Sequence, residues 1–224
     1  MTKVRSPFIP ISCMLVIPLV HTIYIWLNQH HQRAEILITG LDKAIPFMKV
    51  FILPYISWYP FMFVTLCYLC LKDRNSYYKT LISITIGLLT CYTIYYFFQT
   101  TVPRPDLQGG DLLVTMVNMV YAHDQPYNCF PSIHCLTSYL IIKGMFKSKV
   151  KNKTNFPFVA TSGMLIIIST LFVKQHVVLD VFAAIMLGEL LFRIVAKFDT
   201  DSQLYTAGFK RPRILINIKK KLWT

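Results

Sequence analysis

The sequence predicts an all-α integral membrane protein, a bundle of six transmembrane helices. Its 224 residues are 54% hydrophobic, and their mean hydropathy is +0.49, above that of an ordinary soluble domain. The apolar residues fall into six stretches, five of membrane-spanning scale and one, the fourth, shorter. The net charge of +13 is gathered into short clusters between those stretches, where basic residues set topology and meet anionic headgroups. A nucleic-acid binder would carry its charge on a face, so that class is excluded. No repeat or low-complexity linker divides residues 1–224, which read as a single membrane domain.

Span 1 covers about 8–27. Lys3 and Arg5 precede it as in a signal peptide, but the run is longer than a signal core and no small-residue cleavage pattern follows. An uncleaved first span is expected. Span 2, about 50–71, contains Pro54 and Pro60, which membrane helices tolerate. Span 3 covers about 80–98, and a long loop at about 99–131 follows. Span 4, about 132–146, is short. Lys147, Lys149, Lys151 and Lys153 then make a basic turn. Spans 5 and 6 cover about 156–173 and 177–195, and in the latter Glu189 is placed to pair with Arg193. Residues 197–224 form a basic tail, expected on the cytoplasmic side. The cysteines, Cys13, Cys67, Cys70, Cys91, Cys129 and Cys135, read as free thiols.

Of the 23 Lys and Arg residues, all but Arg33, Lys43, Lys49, Arg104 and Lys174 lie at the N-terminus, the 2–3 and 4–5 turns, the tail or the adjoining span ends. Positive residues stay in the cytoplasm, so both termini are expected inside. The 3–4 loop and the 5–6 turn would then face outward, bringing Arg104, His134 and His176 to one side of a cell membrane.

Those segments carry the chemistry. His176 and Asp180 are four residues apart, so on a helix they share a face. The carboxylate then holds one ring nitrogen and leaves the other free to attack. A second histidine, His134, can handle a proton. This is the minimum equipment for group transfer through a covalent histidine intermediate.

Three segments, PRP (103–105), FPSIH (130–134) and STLFVKQHVVLD (169–180), resemble in order and spacing the signature motifs of the type-2 phosphatidic acid phosphatase superfamily. The resemblance covers about 99–188 by motif and the whole chain by its six-span layout. It implies a membrane lipid phosphatase or phosphotransferase acting on a lipid phosphate. His176 would be the nucleophile, Asp180 its orienting partner and His134 the proton donor and acceptor. Arg104, whose guanidinium fork matches phosphate oxygens, and Ser132 would bind the phosphate, with Ser169 at the head of the third motif. Cationic side chains do the electrostatic work, so no metal and no cofactor are expected, and the sequence holds no carboxylate cluster for one.

Two positions depart from the family pattern: Phe97 stands where it has a lysine, and Thr170 where it has an arginine. Lys174, four residues beyond Thr170, would share its face on a continuing helix and is the candidate replacement. Alternatively the chain resembles the inositol-phosphorylceramide and sphingomyelin synthases, which keep a His/His/Asp core with fewer cations. They move a phospho-headgroup from a phosphodiester donor, whose phosphate carries less charge.

Overall fold

The computed structural model describes residues 8–30 and 33–198; the basic tail expected over 197–224 lies, from 199 onward, outside the described residues. The described chain is helical apart from short loops and two minimal strands. In order these are α1 (Phe8–Ser12), α2 (Val16–Gln29), β1 (Glu35–Ile36), α3 (Gly40–Ala44), α4 (Ile52–Ile56), α5 (Trp58–Lys72), α6 (Arg74–Phe97), β2 (Thr100–Thr101), α7 (Leu112–His123), α8 (Ile133–Lys147), α9 (Asn155–Phe172) and α10 (Val178–Lys197).

Among the described residues, four helical segments are long and apolar enough to cross a membrane: Ile9–Gln29, Lys49–Lys72, Arg74–Phe97 and Asn155–Phe172. Each overlaps an expected span. Their outward faces are apolar, with Leu19, Phe63, Phe97 and Phe158 well exposed, as expected of surfaces that meet lipid rather than water. The first two segments are broken where proline removes a backbone donor. A 3-10 turn at Cys13–Leu15 precedes Pro18. Ser57 separates α4 from α5 between Pro54 and Pro60, its hydroxyl donating to the Pro54 carbonyl at 2.7 Å.

The other two expected spans correspond to α8 and α10. The 15 residues of α8 rise about 22 Å, less than a hydrocarbon core of about 30 Å. This helix is enclosed by α5, α6, α9 and α10, and Cys135, Leu136, Leu140, Ile141 and Met145 on it are fully buried. Close approach to α6 depends on Gly144, where an added Cβ would lie 2.0 Å from Thr80 Oγ1. Helix α10 packs on α6 and α8 and carries Asp180, Glu189, Arg193 and Lys197, which lower its apolar character. Glu189 pairs with Arg193 at 2.6 Å, as its spacing suggests, and also with Lys143 of α8 at 2.7 Å.

One expectation needs correction. The stretch 99–131 is not all loop. Asp111 caps α7 by accepting from the Val114 N–H at 3.1 Å, and the helix buries Val114 and Val117 over α4. Twelve residues, not all of them apolar, are too few to read as a span, so the sequence hid the element. The strand pair β1–β2 runs parallel, Glu35 opposite Thr100, and ties the connection after α2 to the one after α6. Asn28 at the end of α2 clamps the segment after α7, donating to Gln125 O at 3.2 Å and accepting from Gln125 N at 3.1 Å. These contacts build a polar cap over one end of the bundle.

Candidate active site

Under that cap the ends of α8, α9 and α10 converge. Helix α9 stops at Phe172, and the chain reverses through Lys174, whose φ is 52°. The N–H groups of Gln175 and His176 then both donate to the Thr170 carbonyl, at 2.9 and 3.2 Å. His176 is thereby fixed just before α10. Asp180, in the first turn of α10, accepts from the Val177 N–H at 2.9 Å, and the same oxygen lies 3.3 Å from His176 Nδ1. The carboxylate therefore caps the helix and faces the imidazole at once. It is fully buried.

His134 comes from the first turn of α8, which Ser132 caps by accepting from the Cys135 N–H at 3.2 Å. The Ser132 N–H donates to the Asp180 carbonyl at 3.3 Å, locking the start of α8 to the start of α10. The imidazole sits against Trp58 and Tyr55, with ring centroids 4.2 and 4.8 Å away, and 5.8 Å from the His176 ring.

Arg104 reaches the same place from the loop after β2. Its Nη1 donates to the carbonyls of Asp124 at 2.6 Å and Tyr121 at 3.2 Å, and its Nη2 to Gln175 Oε1. Its guanidinium stacks 4.5 Å over the Tyr121 ring. The structure thus brings His134, His176, Asp180 and Arg104 together, with Ser132 beneath them.

Lys174 and Ser169 are not brought to this place. The expectation for Lys174 assumed that α9 continues past Thr170 for another turn, and it does not. The reversal at positive φ turns the side chain the other way, where Nζ donates to the carbonyls of Asp42, at 3.2 Å, and Ile45. Lys174 fastens α3 to the bundle. Asp42 itself accepts from the Val178 N–H at 2.8 Å, which secures the start of α10. Ser169 is buried inside α9, its hydroxyl donating to the Ile166 carbonyl at 2.6 Å, and it lines no space shared with the histidines.

Gln175 and Asn128, which sequence reasoning missed, complete the surroundings together with Asp124, a loop residue placed by the sequence where it could touch a headgroup. Gln175 must present its oxygen to Arg104, which can only donate, and its buried Nε2 then has no acceptor among the described residues. Asn128 accepts from Gln99 at 2.8 Å through Oδ1, and its Nδ2 is likewise buried without an acceptor. Arg104 Nε and His134 Nδ1 are in the same condition, as is Asp180 Oδ1. Buried polar atoms are ordinarily paired, so each exception asks for a partner. Four of these five are nitrogens, three of them donors by chemistry. Asp124 is half-buried just beyond α7 and accepts from the Tyr24 hydroxyl. Burial pushes its carboxyl above the usual range, against the opposing pull of Tyr24 and Arg104.

The space bounded jointly by Arg104, Gln175, Asn128 and the two histidines is small, about 10 Å³. A second cleft of about 490 Å³, walled by Tyr55, Trp58 and Tyr59, meets it at Tyr24, Asp124 and His134. Among the described residues no group of three or more His, Cys, Asp or Glu side chains is arranged to hold a metal ion.

The family model described as PAP2 superfamily matches residues 81–203, more than half of the chain and the whole of the segment that carries the histidines. The chain belongs to the PAP2 superfamily. PAP2 members are phosphatases and phosphotransferases, so at that level it is an enzyme acting on phosphate-containing substrates. Its four apolar helices agree with a multi-pass membrane protein. Searches of curated proteins and of solved structures return no match.

Proposed function

We propose that this PAP2 protein is a lipid phosphatase that hydrolyses a phosphomonoester or pyrophosphate through a phosphohistidine on His176. The observation that carries the reading is the excess of donors around the histidines. Arg104 Nε, Gln175 Nε2 and Asn128 Nδ2 are buried without acceptors among the described residues, and a phosphoryl group is a ligand made of acceptor oxygens. Fixed donors aimed at developing charge are the main resource of phosphoryl transfer.

In the first step His176 Nε2 attacks phosphorus. The N–P bond forms as the bond to the lipid oxygen breaks, and His134 gives that oxygen a proton. Asp180 holds Nδ1 and stabilises the ring as positive charge develops. In the second step water attacks phosphorus, His134 takes its proton, and the N–P bond breaks to release phosphate. The two rings stand 5.8 Å apart, on either side of the place the phosphoryl group would take. No step calls for a metal or cofactor.

The lipid character rests on the apolar helices and on the aromatic-walled cleft that meets His134. In this reading α8 and α10 are the fourth and sixth spans. The enclosure of α8 by other helices lets it be short, and α10 pairs its Glu189 with Lys143 and Arg193. The Lys and Arg distribution puts both termini in the cytoplasm and the histidines at the outer face.

A second reading, headgroup transfer from a phosphodiester donor, is favoured by one observation: with Lys174 turned away, Arg104 is the sole Lys or Arg among the described residues that lines the histidine space. The purified protein and His176→Ala separate the two. Phosphate release from phosphatidic acid, phosphatidylglycerol phosphate or undecaprenyl pyrophosphate that disappears in the variant supports the phosphatase. A His176-dependent new lipid, made only when a phosphodiester donor and an alcohol acceptor are supplied, supports transfer. Inactivity in both assays contradicts the enzymatic reading.

A further inference from the structure

At the far end of the bundle from the histidines, one cavity gathers more charge than helix ends require. The last turns of α8 and α10 and the first turns of α6 border a space of about 690 Å³. Lys79, Lys143, Lys147, Lys149, Arg193 and Lys197 all line it, against two carboxylates, Asp73 and Glu189. Lys147 lies 13 residues beyond His134 on the same helix, about 20 Å along it, so this is a separate place.

Both carboxylates are committed. Glu189 holds Lys143 at 2.7 Å and Arg193 at 2.6 Å and accepts from the Tyr139 hydroxyl. Asp73 is taken up by the donors of Ser76, Ser148 and Lys149. Lys79, Lys147, Lys149 and Lys197 therefore have no carboxylate partner among the described residues.

Lys147 and Lys197 sit in final helical turns, where a cation complements the helix dipole. Loop lysines alone would satisfy the positive-inside rule. Neither explanation calls for these cations to converge on one space, nor for the fixing of Lys143 and Arg193 by Glu189 beside it. Cations converging on one concavity repel each other until an anion enters it. Phe192 and Ala196 in the wall add apolar surface to the cationic one. Basic pockets between membrane helices suit phospholipid headgroups.

We infer that this cavity is a second, non-catalytic site for a phosphate group, carried by an anionic phospholipid or free in solution. The inference does not depend on the catalytic reading. The full-length protein in mild detergent is examined by native mass spectrometry with equal phosphatidylglycerol and phosphatidylcholine, and by thermal unfolding with inorganic phosphate. Lys79→Ala/Lys149→Ala is compared with Arg33→Ala/Lys43→Ala, which removes equal charge outside the cavity. Any phosphate binding at the histidines is common to all three proteins.

Retention of phosphatidylglycerol over phosphatidylcholine in the wild type and the control, reduced roughly tenfold in the cavity variant, supports a lipid-borne phosphate. Stabilisation by inorganic phosphate that only the cavity variant loses, without a lipid preference, supports free phosphate. The same retention and the same stabilisation in all three proteins overturns the inference.

Discussion

Asp73 and the Arg104 cluster are both buried polar groups, at opposite ends of one bundle, and their hydrogen bonding differs. Asp73 accepts from Ser76 N and Oγ, Ser148 Oγ and Lys149 N, all between 2.8 and 3.3 Å. It caps α6 and joins the α5–α6 turn to the α8–α9 turn. At the other end Arg104, Gln175, Asn128, His134 and Asp180 each keep one buried polar atom without a partner. A satisfied network holds a fold together, whereas unpaired buried groups cost stability. The donors around Asp73 are spent on the protein itself. The Arg104 cluster keeps its donors for something that is not protein.

Carboxyl groups at the two ends follow the same division. Burial works against the charge of Asp73, but the donors of Lys149, Ser148 and Ser76 outweigh it and hold the carboxyl below the usual range. Asp124 at the histidine end is held above that range by burial. The contribution of Asp73 to stability is therefore present above its unfolded pKa and lost as pH falls through its depressed folded value. The contribution of Asp124 is present below its unfolded pKa and lost as pH rises through its raised one.

The comparison breaks most visibly at Arg104. Arg104→Lys keeps the charge but loses the fork that spans Asp124, Tyr121 and Gln175. Turnover should fall by about 10² to 10³ while the thermal midpoint moves little. A variant of near-normal turnover would remove Arg104 from the phosphate site.

Asp73→Ala should do the reverse, lowering stability by about 2 kcal/mol without a proportionate loss of turnover in the protein that remains folded. Its deficit in thermal midpoint should shrink as pH falls. For Asp124→Asn, the midpoint relative to wild type should rise with pH. Parallel curves for the two variants would mean that the ends do not differ as described.

The smallest effect is expected at Lys174. Lys174→Asn suits the positive φ and removes the amine. It should cost about 1 kcal/mol, through lost contacts to Asp42 and Ile45, and leave turnover nearly unchanged. Severe loss of turnover would return Lys174 to the phosphate.

Much of this division was legible in the sequence, and unevenly. The long apolar runs marked the four segments apolar enough to cross a membrane, because twenty hydrophobic residues in a row have few other uses. The i,i+4 spacing pointed to the His176/Asp180 pair, but His176 lies before α10, and the two meet because Asp180 in its first turn faces back to the Val177 N–H and His176 Nδ1. Lys174 misled because the i+4 argument holds only while the helix continues, and nothing in VKQH announces a reversal two residues after Phe172. Gln175 and Asn128 were invisible because neutral amides carry neither charge nor periodicity. The signal available for Gln175 was its position next to His176, which puts any side chain there within reach of the nucleophile's surroundings. Helix α7 was lost to its length and the polar residues around it.

The central claim is that phosphorus passes through His176, and the most direct measurement is of that bond. Wild-type protein is mixed with a lipid substrate labelled at phosphorus, quenched in alkali within the first turnover, and mapped by peptide mass. Label on His176 that survives alkali, is released by acid and is absent from His176→Ala is the predicted result. Turnover with no label on His176 at any quench time, and with activity retained in His176→Ala, would contradict the account.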